Sequence, residues 1–431
     1  MKKFNKYWEW LLKNKYIVVV AAIFLFEIFL RFYQMDLKNA FGYDQVDNAW
    51  AAKNILVNHW FPLIGMVAKE NSNIYIGPVY YYMLAVAYWI FRLNPIASSV
   101  FAGVCSIFTF WVIFYVAKKL FSTEVALIAV FINTFSLPAI FFDRVQWPVD
   151  LLPAIALLIF YVLYKIVIGD IKKIIPLALL VGFAFNLHFT AIFFPVIIIL
   201  TLPLFPRSKE TLKYIILSLP LFLVWLVPNV VYQVQQKSTG SNFTDYLQTY
   251  YHGFHLKRMI QITGDALIQF NTYLFSDKLF PFKVVLLPLF FIIYLFKALN
   301  TERKKFAYLV FLWFIVPWII FATYSGEISD YYFVINRFIA LLIIAYFLGR
   351  IWTIKNIIPK AIVLIVLVYI AFTNVMTYLP YHDVGLTKRW ENTMQTINQG
   401  QRIEFQVGVP ESYLYYYYMR QKGLNPYDVK K

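Results

Sequence analysis

The sequence predicts an all-α membrane protein that crosses the bilayer many times. Hydrophobic residues make up 61% of the 431 residues and charged residues only 14%, which is more apolar surface than one soluble core could bury. The apolar residues occur in blocks, and Lys and Arg collect at the ends of those blocks. This is the positive-inside signature, so the net charge of +17 does not indicate a nucleic-acid partner.

The first apolar block is interpreted as a retained helix and not as a signal peptide. Residues 16–30 follow a basic segment, but no small-residue cleavage site comes after them. Glu27 and Arg31 lie one helical turn apart near the end of this block, where they can form an ion pair. We therefore expect Glu27 to have a structural role.

The alternation of apolar blocks and basic clusters predicts a bundle of about 11 membrane helices. With the start of the chain inside, the basic clusters fall on the cytoplasmic side at Lys118/Lys119, Lys172/Lys173, 207–213, 303–305 and 350–355. The predicted helices are 16–33, 96–117, 124–142, 150–167, 174–188, 190–206, 212–235, 283–298, 306–323, 335–350 and 357–379.

One apolar segment, 77–91, is predicted to lie on the outer membrane surface. It is about 15 residues long where a span needs about 20, and its Tyr and Trp content is typical of the interface. The transmembrane module is then 1–379, with long outer loops at 34–95 and 236–282. A small outer tail follows at 380–431, with a strand expected at 402–409 and a helix from Pro410 to Gly423.

The first outer loop carries two candidate acids in the stretch "GYDQVDNAWAAKNIL". If a helix begins after Gly42, Asp44 could cap it and Asp47 could lie in its first turn, which is the structural interpretation. The functional interpretation is that a carboxylate at the water interface, beside a membrane groove, acts as a base for a lipid-borne substrate. We favour the functional one.

A second group of charges lies in "FFDRVQWPVDLLP", between two apolar helices. Asp143, Arg144 and Asp150 share this short outer turn, where Trp147 and Pro148 restrict the backbone. An ordinary charged turn would explain any one of them, whereas their combination suggests a site.

Two further residues are candidate ligands for a phosphate group. His188 interrupts an apolar run in "NLHFTAIFFP", and Arg337 lies at the outer end of a predicted helix in "GEISDYYFVINRF". A guanidinium at this position either snorkels to the lipid headgroups or binds a phosphate. A histidine there is either a satisfied turn residue or a ligand.

Several segments in order resemble the GT-C superfamily of glycosyltransferases that use polyprenyl-phosphate sugars. The stretches are "GYDQVDNAWAAKNIL", "SNIYIGPVYYYML", "KKLFSTEVALIAVF", "FFDRVQWPVDLLP" and "NLHFTAIFFP". They are similar to the branch with protein O-mannosyltransferases and lipid A aminoarabinose transferase, over residues 31–206. The sequence departs from many of these relatives in two places. It has Asp-Gln rather than Asp-Glu at Asp44, and it has "WPVD" at 147–150 where similar sequences often carry an Asn-rich segment.

The resemblance implies a first outer loop that bears the catalytic acid, and this acid corresponds to Asp44. The chemistry of the reaction is consistent with a single catalytic acid. The leaving phosphate is a weak base and needs no proton donor, so one carboxylate to take the proton of the acceptor hydroxyl and cations to hold the phosphate suffice. We expect Asp47, Asp143 and Asp150 to support the site or bind acceptor. Arg337, Arg144 and His188 are expected to bind the donor phosphate.

The expected partners are a polyprenyl-phosphate-sugar donor, the bilayer and a glycan, lipid or protein acceptor, with the site on the extracytoplasmic face of the cell membrane. Competing interpretations are an oligosaccharyltransferase or polymerase, and a polyprenyl-lipid transporter or flippase. No cofactor is certain, and a divalent metal ion stays open. Cys105, the only cysteine, lies inside an apolar block, so no thiol metal cluster is expected.

Overall fold

The computed structural model describes residues 14–68, 74–236, 241–263, 282–299 and 304–427. Within these residues the chain is helical and forms no β-strand, only isolated bridges between single residues. The predicted all-α class is therefore confirmed.

The α-helices are numbered in chain order, and a further helical segment covers 256–263. They are α1 (Lys15–Phe32), α2 (Met35–Lys38), α3 (Tyr43–Asn58), α4 (Val79–Ile90), α5 (Ile96–Leu120), α6 (Thr123–Phe135), α7 (Leu137–Phe142), α8 (Leu152–Val167), α9 (Ile174–Ala184), α10 (Phe193–Thr201), α11 (Lys209–Leu223), α12 (Val227–Gln235), α13 (Ser241–Tyr250), α14 (Phe282–Leu299), α15 (Lys304–Ala322), α16 (Val334–Trp352), α17 (Ile357–Tyr378), α18 (Leu386–Asn398) and α19 (Pro410–Gln421).

Among the described residues, five helical segments are long and apolar enough to cross a membrane, or six if the bent pair α11 and α12 is one span. The protein is thus a multi-pass membrane protein. Each of the 11 predicted spans coincides with a helix or a pair of consecutive helices, although the number that cross the bilayer stays a prediction. The five segments are 96–120, 148–167, 304–322, 331–352 and 357–378.

Proline explains two places where a predicted helix is interrupted. The predicted helix 124–142 is divided into α6 and α7 at Ser136, whose hydroxyl accepts a hydrogen bond from the Ala139 amide over 3.5 Å. The predicted helix 212–235 is divided into α11 and α12, which meet at an angle of 48°. Pro138 and Pro228 lie in the first turns of α7 and α12, where a missing amide hydrogen costs nothing.

Helix α4 is too short to span the bilayer, as expected for 77–91. Its 12 residues extend about 18 Å, against a hydrocarbon core of about 30 Å. One face is buried through Tyr80, Leu84 and Tyr88, and the other exposes Val86, Trp89 and Ile90. This arrangement suits a helix lying on a membrane surface, and that placement stays a prediction.

Of the two elements expected in the tail, the helix is present and the strand is not. Helix α19 begins at Pro410, and Gly423 follows its end with φ of +75°, as predicted. The strand expected at 402–409 is wrong, because this segment has no strand and ends in a turn. Alternation of apolar and polar residues makes a strand only where another strand is available to pair, and the described residues provide none.

The described part of the tail packs directly on α3, in the segment predicted as the first outer loop. Tyr413 and Tyr416 of α19 are buried and contact the ring of Trp50 in α3, with centroids 5.1 Å and 5.3 Å away. Gly408 has φ of +80°, and a Cβ there would lie 2.2 Å from the ring of Tyr43. The described part of the tail and α3 therefore form one packed unit.

Lys38, which lies before α3, connects this segment to the end of α17. Its ammonium group donates to the carbonyls of Leu379 at 2.7 Å, Tyr378 at 3.4 Å and Tyr381. A cation at a helix C-terminus satisfies carbonyls that lack partners within the helix. Lys38 is only 3% exposed, so this contact between the segment 34–95 and the end of α17 is buried.

Candidate active site

The start of α3 is organised by a glutamine and not by an aspartate. The Gln45 side-chain oxygen accepts a hydrogen bond from the Gly42 amide at 2.9 Å, and its amide nitrogen donates to the Gln146 carbonyl at 2.8 Å. Only an amide side chain does both, because a carboxylate has no hydrogen to donate. The capping interpretation of Asp44 is therefore wrong, and Asp-Gln in place of Asp-Glu has a structural reason.

Asp44 and Asp47 lie one turn apart in the first part of α3, both half-buried. Burial raises the pKa of Asp44, and the neighbouring charge of Asp47 raises this pKa further. Burial also raises the pKa of Asp47, opposed by a hydrogen bond that the Tyr81 hydroxyl donates to Asp47 Oδ2 at 2.8 Å. The site thus holds two carboxylates that are more basic than usual, one of them anchored by a tyrosine.

Gln146 links this helix start to the turn after Asp143 and Arg144. Its side-chain oxygen accepts from the Ser98 hydroxyl at 2.8 Å, and its side-chain nitrogen donates to the Tyr80 hydroxyl at 3.0 Å. The Tyr80 hydroxyl also lies beside the carboxyl group of Asp150, which is 5% exposed. Asp44 and Asp150 therefore belong to elements that share one buried polar network.

Asp143 lies in a different cluster, a buried group of ion pairs. Its Oδ2 pairs with Arg31 Nη2 at 2.8 Å, and its Oδ1 lies 3.5 Å from Arg337 Nη2. Arg31 also pairs with Glu27 at 3.1 Å, so the ion pair predicted within α1 is confirmed. Two acids and two arginines thus balance one another inside the bundle, all of them at most 4% exposed.

Two of the predicted phosphate ligands, Arg144 and Arg337, are buried in contacts with other parts of the protein. Arg144 is 2% exposed and donates to the carbonyls of Leu30 at 2.6 Å and Tyr33 at 3.0 Å, at the end of α1. Arg337 also packs over the ring of Phe142, 4.9 Å from its centroid. Arg144 thus joins the turn after α7 to the end of α1, and Arg337 joins α16 to α6 and α7.

His188 lies in the turn before α10, where burial disfavours the charged form of its imidazole. Burial lowers the pKa of its imidazole to about 4. Its Nδ1 accepts from the Thr190 amide at 3.3 Å, which leaves the hydrogen on Nε2 in the neutral ring. The ring lies between Tyr331 and Tyr332, with centroids 5.5 Å and 5.6 Å away. In the neutral form the ring can donate a hydrogen bond from Nε2 to a phosphate without adding a positive charge.

Sequence reasoning did not find Tyr81 or Gln146. Tyr81 lies in a tyrosine-rich apolar run that is typical of a membrane interface, so no single ring was distinctive. Gln146 carried one weak signal, as an uncharged polar residue within a turn between two apolar helices. Among the described residues, no three His, Cys, Asp or Glu side chains are grouped to hold a metal ion.

Comparisons with known proteins identify the architecture. Residues 76–232 match the family model described as dolichyl-phosphate-mannose-protein mannosyltransferase, a range that begins after Asp44 and Asp47. ArnT from Cupriavidus metallidurans, solved with undecaprenyl phosphate, is similar with a TM-score of 0.56 at 13% identity, over 93% of this chain and 74% of ArnT. The chain has the GT-C fold.

A second GT-C structure is similar to the same extent. The archaeal oligosaccharyltransferase AglB from Archaeoglobus fulgidus, in complex with an inhibitory peptide and a dolichol-phosphate, has a TM-score of 0.57 at 12% identity. The match covers 91% of this chain but only 59% of AglB. No curated protein sequence matches the chain. The GT-C resemblance predicted from the sequence is thus confirmed as a fold.

Proposed function

We propose that the protein is a membrane glycosyltransferase that moves a sugar from a polyprenyl-phosphate donor to an acceptor hydroxyl on the extracytoplasmic side. The observation that carries this proposal is the pair of half-buried carboxylates at the start of α3, with raised pKa values, in a GT-C fold. The similar ArnT and AglB structures, which hold undecaprenyl phosphate and a dolichol-phosphate, support a lipid-linked donor.

Asp44 is the proposed general base. It takes the proton from the acceptor hydroxyl as the oxygen attacks the sugar, and the bond from the sugar to the phosphate breaks. A raised pKa favours this step, because a more basic carboxylate accepts the proton more readily so long as it is ionised. Asp47, anchored by Tyr81, supports the geometry of the turn or binds acceptor.

Asp143 and Asp150 take supporting roles in this proposal. Asp143 neutralises Arg31 and lies 3.5 Å from Arg337. Asp150 connects through Tyr80 and Gln146 to α3. Both acids act by holding elements around Asp44 in place, so neither is needed as a second proton donor or acceptor.

Phosphate binding by Arg337 requires an exchange of partners. Its nitrogen lies 3.5 Å from Asp143 and 3.4 Å from the side-chain oxygen of Asn133, both long for strong contacts. A donor phosphate offers shorter charge-assisted bonds and could replace them. Arg144 and the neutral His188 assist in this proposal, Arg144 by fixing the end of α1 and His188 through its Nε2 hydrogen.

The second candidate function is transfer of a glycan block, as in an oligosaccharyltransferase. The observation that favours it is the likeness to AglB, which is as great as the likeness to ArnT. A transporter or flippase remains the alternative from another class. It would move a polyprenyl lipid across the bilayer without breaking the bond between sugar and phosphate.

Purified protein incubated with polyprenyl-phosphate monosaccharides and with polyprenyl-linked oligosaccharides tests these alternatives. Release of polyprenyl phosphate from the monosaccharide donors, even by slow hydrolysis, is expected for the proposed enzyme. Release from the oligosaccharide donors alone would favour the glycan-block function. Movement of intact lipid across proteoliposomes, with no release from any donor, would overturn both.

A further inference from the structure

A cleft of about 830 Å³ lies between the second half of α3 and the tail. Trp50, Asn54 and Asn58 line it from α3, while Glu404, Phe405 and Tyr427 line it from the tail. Its lining does not include Asp44 or Asp47, and none of its residues has a role in the chemical step proposed above. Its size is that of a site for a small ligand of several rings.

Three aromatic rings form one part of this cleft. Trp50 and Phe405 have centroids 5.0 Å apart at 73°, and Tyr427 meets Trp50 at 6.0 Å and 63° and Phe405 at 5.6 Å and 65°. Because the planes of these three rings are inclined to one another, their faces point in different directions. Phe405 is 49% exposed, so its ring is accessible to a ligand. The apolar C–H face of a sugar ring packs well on such aromatic faces.

Amide and charged groups form the rest of the lining. Asn58 donates to the Asn54 side-chain oxygen at 3.1 Å, and Lys53 donates to the Asn58 side-chain oxygen at 3.3 Å. Glu404 is exposed in the same cleft, and Arg402 lines it as well. Planar amides that both donate and accept, and a carboxylate that accepts with two oxygens, suit the vicinal hydroxyls of a sugar. Two cations against one acid make the lining unfavourable for a cationic ligand.

The cleft and the proposed base share one rigid helix. Asp47, Trp50, Asn54 and Asn58 are spaced by three, four and four residues, which places them along one stripe of α3. Trp50 lies about 9 Å along the helix axis from Asp44. A chain of sugars whose reacting hydroxyl is at Asp44 could therefore extend along α3 into the cleft.

The far wall is held firmly against α3. Trp50 packs on the buried rings of Tyr413 and Tyr416, and Gly408 fits against Tyr43 where a side chain has no space. These contacts set the separation of the two walls, and a defined separation helps a binding site to select its ligand.

We propose that this cleft binds the acceptor, and that the acceptor is a glycan whose non-reacting sugars lie between α3 and the tail. This rests on the proposed function, since it names the acceptor class for that reaction. An acyl chain fits poorly because amide and charged groups form much of the lining, and a peptide in extended form lacks a strand edge here on which to pair.

The test uses the full chain in nanodiscs on an array of cell-envelope oligosaccharides of two to eight sugar units, beside an array of random peptides. Wild type is expected to bind a subset of the oligosaccharides. Phe405→Ala is expected to weaken that binding about tenfold, the loss of one ring contact. Asn58→Ala is the second variant. Phe254→Ala is the control, because Phe254 is 54% exposed and lies outside the cleft.

Kinetics separate this inference from the proposed function. In Phe405→Ala, KM for the glycan acceptor should rise with little change in kcat, whereas Phe254→Ala should leave KM, kcat and donor hydrolysis as in wild type. Binding of peptides but not of glycans, binding of neither, or equal glycan binding in wild type and Phe405→Ala would overturn the glycan assignment. Glycan binding without any release of polyprenyl phosphate would instead overturn the proposed reaction and leave the binding site in place.

Discussion

The Tyr81 hydroxyl donates a hydrogen bond to Asp47 over 2.8 Å, and so gives the two carboxylates at the start of α3 different environments. Asp47 is anchored to α4 by this bond. The pKa of Asp44 is raised by burial and by the charge of Asp47. The anchored acid therefore increases the basicity of its neighbour, which suits a division of roles between positioning and proton transfer.

Replacing Asp44 with asparagine should remove the base and keep the fold. We expect Asp44→Asn to lower turnover by about two to four orders of magnitude, because the amide cannot accept the hydroxyl proton. The measurement is release of polyprenyl phosphate from the donor with acceptor present. Asp36→Asn is the matched control, since Asp36 is an exposed acid in the same segment of the chain, 34–95. Near-full activity in Asp44→Asn would move the role to Asp143 or Asp150.

The same substitution should change how stability depends on pH. The folded-state pKa of Asp44 is raised, so the folded protein holds its proton more tightly than the unfolded chain does, and ionisation at higher pH destabilises the fold. Asparagine stays neutral throughout. The Tm of Asp44→Asn relative to wild type should therefore be higher at pH 8 than at pH 4 in the same detergent. A relative gain for wild type on raising the pH would contradict the raised pKa.

Removing Asp143 should destabilise the bundle. Asp143→Asn leaves the buried Arg31 without its partner at 2.8 Å, and breaking a buried ion pair from one side costs about 3–5 kcal/mol. Chemical denaturation in detergent measures the change in the free energy of unfolding. Glu391→Gln is the control, because its pair with Lys388 is exposed and should contribute little. Equal stability of the two variants would show that the cluster does not hold the helices together.

Arg337→Lys tests whether this guanidinium binds the donor. If Arg337 exchanges Asp143 for the donor phosphate, the lysine variant loses the forked geometry, and turnover should fall more than donor affinity. Donor binding and single-turnover rates on the same preparation provide the comparison. Unchanged values for both would leave Arg337 with a structural role beside Asp143.

Topology can be measured with single cysteines, since the native Cys105 is buried. Lys388 of α18 is exposed and predicted outside, and Lys172 is exposed and predicted inside. An impermeant maleimide should therefore label Lys388→Cys in intact cells, and Lys172→Cys only after permeabilisation. The reverse pattern would invert the predicted orientation and put Asp44 on the cytoplasmic side.

What could be predicted from the sequence followed from local patterns. Apolar blocks of membrane length located the long helices, and a spacing of four residues located the pair of Glu27 and Arg31. The contacts that define the site join residues far apart, such as Gln45 with Gln146 and Arg31 with Asp143, and no local pattern specifies them. The strand expected at 402–409 was wrong for the same reason, because strand formation depends on a distant partner.

The contact between Lys38 and the carbonyls at 378–381 has a consequence for how the protein is made. Lys38 and α3 are translated early, whereas the carbonyls and the rings of Tyr413 and Tyr416 emerge more than three hundred residues later. During that interval the part of the Trp50 ring that the tail covers stays exposed. The segment around α3 therefore reaches its final packing only near the end of synthesis, and a chain truncated before α19 would expose the apolar surface of Trp50.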